Sequence, residues 1–419
     1  MSIHSADTNK SPGLTSGTML VIATVVGGGM FSLPIAMAGV WFSGATVILI
    51  LVAIMMLLTG LMLVEVNLHF EPGASFNTFT TELLGKKWNI VVGIAFGFVL
   101  YILTYAYISG SSAVLTQTIL KYTGVALPIK AAVVIVACLV AAIVWYSSLW
   151  VGRITTILIF GKFIAFFATF SGLVAHVEIA NLLDSASVAI PGTKYLPYVL
   201  MTLPFCIISF GFHGNVPGLV KYYRNDAKSV VRSLLIGSLI SLVIYILWQL
   251  AAQGNVPREN FKQVIAEGGN ITALLSQMKA AINSDTTVQL LNAFSYMALA
   301  SSFLGVSLGL FDYIADFFKF KDNGTGRLKS AVFTFVPPAI LAVLYPDGFL
   351  YAIGYAGLAA TIWAVIVPAL MAKATRRRFP QAAYRVPGGN AMIIFIILFG
   401  LLNAVTHILS MMDLLPVYR

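Results

Sequence analysis

The chain has 419 residues, 59% of them hydrophobic and only 10% charged, with a formal net charge of +10. Soluble domains carry about 25% charged residues, so the two or three soluble domains that this length would allow are excluded. The two cysteines, Cys138 and Cys206, and the five histidines show no metal-ligand spacing, so no metal or other cofactor is indicated and the cysteines read as small core residues.

Residues 1–13 form a polar tail. The first apolar run, 14–40, is too long for a signal peptide and lacks a cleavage pattern, so it reads as a retained first helix. A membrane span needs about 20 mostly apolar residues. Eleven segments qualify: 15–39, 42–66, 88–118, 130–146, 154–176, 198–220, 230–253, 287–315, 328–345, 348–370 and 392–412. The fold class is therefore an all-α polytopic membrane protein. Its long connection at 254–285 reads as a small extracellular cap on a core spanning 14–390, and 391–419 carries span 11.

Lysine and arginine positions set the orientation. With the N-terminus cytoplasmic, 17 of the 25 basic residues fall on the cytoplasmic side and seven fall opposite. The cytoplasmic clusters include Lys221, Arg224, Lys228 and Arg232, and Lys373, Arg376, Arg377, Arg378 and Arg385. This asymmetry accounts for the net positive charge without a nucleic-acid partner. It puts the C-terminus outside.

Span 1 contains Gly27-Gly28-Gly29-Met30-Phe31-Ser32-Leu33-Pro34, and span 6 contains Ser209-Phe210-Gly211-Phe212-His213-Gly214-Asn215-Val216-Pro217. Glycines weaken a helix by roughly 1 kcal/mol each, and proline removes an amide donor. The two spans lie five apart and so cross in opposite directions. Paired interruptions of this kind point to an inverted-repeat transporter. Open backbone at membrane depth survives only where it is buried in protein or lines a cavity. Freed amides can hold a carboxylate, and freed carbonyls an ammonium group or cation. An α-amino acid presents both groups, so these segments are the expected substrate site. The amides of Gly28 and Gly29 are expected to take the carboxylate, and carbonyls near Gly27 and Phe210 the amine. Kinks with packing glycines are the alternative.

Lys162 stands about eight residues, or roughly 12 Å, into span 5 among apolar neighbours. An ionisable residue at that depth is functional by default; it either exchanges a proton or serves as a fixed cation. Glu65, near the end of span 2, is a proton relay or a half-exposed end-of-helix residue. His213 binds substrate, titrates, or satisfies freed backbone. Tyr101 and Tyr105 share one face of span 3. With Phe210 and Phe212 they are candidates for stacking on an aromatic substrate, core packing being the default.

These strings, with Leu100-Tyr101-Ile102-Leu103-Thr104-Tyr105-Ala106-Tyr107-Ile108-Ser109, Ser301-Ser302-Phe303-Leu304-Gly305-Val306-Ser307-Leu308-Gly309-Leu310-Phe311-Asp312-Tyr313 and Gly354-Tyr355-Ala356-Gly357-Leu358-Ala359-Ala360-Thr361-Ile362-Trp363, carry a family resemblance. The chain resembles the bacterial hydroxy and aromatic amino acid permeases, tryptophan permeases most closely, over nearly its whole length. The resemblance implies a five-plus-five inverted-repeat, leucine-transporter-like fold with an eleventh helix appended. It also implies proton-driven uptake across the inner membrane. In sodium-dependent relatives of that fold, helices 1, 5 and 8 build a sodium site; here Ser301 and Ser302 match its hydroxyls, and Lys162 resembles the lysine that replaces the ion.

The expected function is proton-coupled import of an aromatic amino acid, tryptophan first, with tyrosine or serine/threonine transport as alternatives. The expected partners are that substrate, protons and the lipid bilayer, with no obligatory protein partner. A channel would need a continuous pore, an enzyme a catalytic constellation, and a sensor a signalling domain; the sequence suggests none of them.

Overall fold

Long apolar runs must satisfy their backbone groups internally in lipid, and helices do so within one segment. The computed structural model describes residues 13–71, 74–185, 194–282, 284–381, 384–412 and 414–418, so the tail before Gly13, with Lys10, and Arg419 lie outside the described residues. Leu14–Val25 (α1) and Ser32–Ala36 (α2) flank a 3₁₀ turn at Gly28–Phe31. There follow Trp41–Asn67 (α3), Phe76–Leu84 (α4), Lys86–Thr123 (α5), Ile129–Tyr146 (α6), Ser148–Ala175 (α7) and the short Ile179–Leu182 (α8). Val199–Ser209 (α9) and Val216–Tyr222 (α10) flank a second 3₁₀ turn at His213–Asn215. The rest comprises Ala227–Asn255 (α11), Asn260–Ala266 (α12), Ile271–Ala281 (α13), Asp285–Phe317 (α14), Gly324–Leu344 (α15), Phe349–Ala360 (α16), Val367–Arg378 (α17) and Gly389–Met411 (α18).

Among the described residues, ten helices are long and apolar enough to cross a membrane, and the pair Leu14–Val25 and Gly28–Ala36, bent by 46°, makes up to eleven. The chain is a polytopic membrane protein. Its outer faces carry large exposed apolar side chains, among them Ile157 and Ile164 on α7 and Leu398 and Leu402 on α18, as lipid contact requires. Cys206 is buried, but Cys138 is exposed rather than in the core. The helix α5 runs beyond the expected 88–118 because glycines with positive φ, Gly85 and Gly124, mark its ends. The helix α4 is too short to register as a span; Ser75 caps it by accepting from the Thr78 amide at 3.3 Å.

Packing gathers the interrupted helices at the centre. The α7 and α14 helices pack along each other, and α11 packs on both α1 and α3. Gly357 of α16 lies where a Cβ would come within 2.1 Å of the Pro204 carbonyl oxygen, so α9 and α16 meet backbone to backbone. Beyond α2, Arg258 donates to the Ala38 and Gly39 carbonyls at 3.0 and 2.7 Å and pairs with Asp184 at 3.3 Å. That end of the first span is thereby pinned to the connection leading into α12. Between α16 and α17 the chain takes a π-helical path over Thr361–Ile366. There the Thr361 hydroxyl donates to Gly357 O and accepts from Asn403 Nδ2 of α18 at 2.5 Å.

Candidate functional site

A helix end leaves amides and carbonyls without intrahelical partners. In the first interruption most of these groups have identifiable partners. Tyr245 Oη of α11 lies 2.6 Å from Val25 O. Lys162 Nζ of α7 donates to Val26 O at 2.5 Å and lies 3.5 Å from Ala23 O. The Gly28 amide donates to Ser302 Oγ of α14 at 2.8 Å, and Ser32 Oγ donates to Gly29 O at 2.7 Å. A Cβ on Gly27 would stand 2.4 Å from Ser302 Oγ, so a side chain there would turn that hydroxyl away from the Gly28 amide.

In the second interruption, Tyr245 Oη lies 2.7 Å from Ser209 O. Asn215 Nδ2 donates to Thr24 Oγ1 at 2.6 Å, joining α1 to the start of α10. The two interruptions face one cavity of about 450 Å³, within the range of small-molecule sites. Gly27, Gly29, Ser209, Gly211, Gly214, Asn215, Ser301 and Ser302 line it. It opens beside the exposed Leu20, Thr24, Gly214 and Gly305, at the end of the bundle away from Arg258.

The remaining expected residues lie elsewhere. Gly28 and Met30 are buried beside the cavity. Phe210 packs edge-to-face on Tyr245, with ring centroids 5.0 Å apart. Phe212 stacks on His213 at 4.9 Å, behind the wall. His213 Nε2 lies 2.8 Å from Thr59 Oγ1, and its Nδ1 is buried without a partner among the described residues. Tyr101 and Tyr105 turn away from the cavity, their hydroxyls donating to Phe333 O at 2.8 Å and Tyr345 O at 2.7 Å. Tyr107, about 200° around α5 from Tyr105, lines the cavity instead. Spacing alone made Tyr101 and Tyr105 neighbours without showing which face turns inward.

Lys162 is 1% exposed and is held by α1 carbonyls. Ser301 Oγ donates to Ala298 O of its own helix at 3.1 Å, and Ser302 Oγ accepts from the Gly28 amide, so of the two serines only Ser302 joins α14 to the first interruption, and the bonds of Lys162 run to the carbonyls of Val26 and Ala23.

The tryptophan/tyrosine permease family matches the chain over residues 10–407. The chain belongs to this family. It is 60% identical to the tyrosine permease of Enterobacter agglomerans over 97% of this chain and 98% of that protein. It is 50% identical to the tryptophan-specific transport protein of Pseudomonas aeruginosa (strain UCBPP-PA14), over 98% of each chain. To the low affinity tryptophan permease of Escherichia coli (strain K12) it is 44% identical over 96% of each. These permeases are transporters, not enzymes.

Trp363, in the π-helical stretch, lines the cavity, with Phe96 edge-on at 5.2 Å, and its indole nitrogen is buried without a partner among the described residues. In the sequence, Trp363 is marked only as the last residue of the string Gly354 to Trp363. Glu65 is neither half-exposed nor near the cavity. It is fully buried and held by Arg376 at 2.6 and 2.8 Å and by the Val386 amide at 2.9 Å.

Gly29 is the open position in the first interruption: the nearest atom to a Cβ there would be Ser209 Oγ at 4.0 Å. A Gly29→Val permease is therefore expected to fold, with an unchanged detergent melting temperature, while its branched side chain takes substrate space. Substrate affinity should fall about tenfold or more, since misplacing one good charge-assisted hydrogen bond costs about 1.5–3 kcal/mol. Unaltered affinity in a binding titration would remove Gly29 from the site.

Proposed function

We propose that this permease is a proton-coupled symporter that imports aromatic amino acids across the bacterial inner membrane by alternating access. Its fold on this reading is the five-plus-five inverted repeat with α18 appended and a cap formed by α12 and α13. The single observation behind the reading is one cavity faced by two interrupted helices, with the buried ammonium of Lys162 bound to carbonyls of the first. The basic clusters support a cytoplasmic N-terminus and periplasmic C-terminus; on that orientation the cavity opens to the cytoplasm.

Each part of an α-amino acid has a receiver. The carboxylate meets the amides of Gly28 and Gly29, and the ammonium the carbonyls near Gly27 and Phe210. The ring lies against Tyr107 and Trp363, where an edge or face contact is worth about 0.5–1.5 kcal/mol beyond its buried area. The Gly28 amide already donates to Ser302. A carboxylate makes a hydrogen bond roughly twice as strong as a neutral hydroxyl does, so it displaces Ser302 and frees α14 from the first span. Occupancy of the site is thereby reported to the helix packed along α7, which carries Lys162.

A second reading, tyrosine selectivity, has its own observation: the identity to a tyrosine permease exceeds that to the two tryptophan transporters compared. Uptake into proteoliposomes with an imposed pH gradient tests both. We expect sodium-independent accumulation of labelled tryptophan, with unlabelled tryptophan and tyrosine competing and serine and threonine not. Tyrosine competing at least tenfold more strongly than tryptophan would establish the second reading. Absence of gradient-driven accumulation of either would overturn proton coupling.

A further inference from the structure

We infer that the Tyr245 hydroxyl is a positioning strut that sets the spacing of the two interrupted helices, and through it selects zwitterionic α-amino acids over ligands carrying only one of the two charged groups. The inference rests on the substrate reading above. Val25 and Ser209 are the last residues of α1 and α9, the points at which both helices stop. Their carbonyl oxygens lie 2.6 and 2.7 Å from the same hydroxyl. Tyr245 is wholly buried, and its ring packs edge-to-face on Phe210, the residue following Ser209. It is carried by α11, which packs along α1.

A phenol has one proton to donate. The two carbonyls therefore share it, and neither helix end can move outward without losing its claim. Among the described residues, the other side-chain hydrogen bond between the two interrupted spans, Asn215 to Thr24, lies at the exposed mouth of the cavity. Tyr245 is the buried link, and it stands behind the wall rather than in the cavity lining, so its effect on a ligand is indirect.

The groups that would receive substrate follow the strut closely in sequence. Gly27, Gly28 and Gly29 come just after Val25, and Phe210 just after Ser209. A ligand with both a carboxylate and an ammonium bridges the two segments and responds to their separation. Tryptamine, lacking the carboxylate, and indole-3-propionate, lacking the ammonium, each engage one charged receiver and respond far less. A residue that merely held the fold together would weaken all of them alike.

The test is ligand affinity in Tyr245→Phe, which removes only the hydroxyl. Competition binding is run on purified full-length protein with tryptophan, tyrosine, tryptamine and indole-3-propionate. We expect the dissociation constants of the two amino acids to rise about fivefold to tenfold, the scale of one lost buried hydrogen bond. Those of the two truncated ligands should shift less than about twofold. An equal shift for all four ligands, or none for the amino acids, overturns the strut. Should Tyr245→Phe fail to fold, the same ratio is read in Tyr245→Leu, which has no donor for either carbonyl and should give the same selective loss. A wild-type protein that binds neither amino acid overturns the substrate reading and the strut with it.

Discussion

Lys162→Ala is expected to reduce initial tryptophan uptake by about tenfold to a hundredfold. The ammonium is buried and donates to Val26 O at 2.5 Å. A hydrogen bond to a charged group is worth about 1.5–3 kcal/mol, and a buried carbonyl left without a donor carries its own desolvation cost. The variant therefore loosens the end of α1 from α7. Two versions of the lysine's role separate in one comparison. If Lys162 releases its proton during the cycle, charge and donors vanish together and the α1 contact opens on cue; Lys162→Ala then loses pH-gradient-driven accumulation but retains binding or exchange. If it is a fixed cation, binding and accumulation fall in parallel. Accumulation of tryptophan against its gradient by Lys162→Ala would defeat both versions. His213 would then be the better proton carrier, being buried at the second interruption with Nδ1 unpartnered among the described residues.

Glu65→Ala should act on stability instead. The carboxylate is fully buried and takes two bonds from Arg376 and one from the Val386 amide. These join the end of α3 to the end of α17 and to the segment before α18. Removing one partner of a buried ion pair costs about 3–5 kcal/mol, because the other charge is left uncompensated. In a chain of this size the detergent melting temperature should fall on the order of 5–10 °C. The pH dependence of transport per folded molecule should stay unchanged. A shifted pH profile with an unchanged melting temperature would restore the proton-relay role.

Much of the architecture was legible in sequence, because apolar length and helix punctuation are local properties. Every expected span overlaps an observed helix or helix pair. The two Gly-to-Pro strings coincide with the observed interruptions. Lys162 stood out as a lone charge in an apolar run. Long-range pairings were not legible. Nothing near Glu65 names Arg376, 311 positions away. Tyr245 sits between Ile244 and Ile246 with no local mark of its two carbonyl contacts. The rotation of α5 about its axis decides Tyr107 over Tyr105, and periodicity cannot fix rotation when most faces of a helix are apolar.

The π-helical stretch before α17 bears on how members of this family can be recombined. A π turn holds one residue more than an α turn. Deleting a residue there would swing Trp363, or everything beyond it, about 100° around the axis. The stretch is also bonded across to the last helix through Thr361 and Asn403. In a chimera that takes α18 from one relative and the preceding helices from another, this buried polar contact beside the cavity wall survives only where the two donors supply groups that can make it. The last helix is therefore tied by a buried side-chain bond to the stretch that carries Trp363, and an exchange of that helix acts on the cavity wall as well as on the lipid-facing surface.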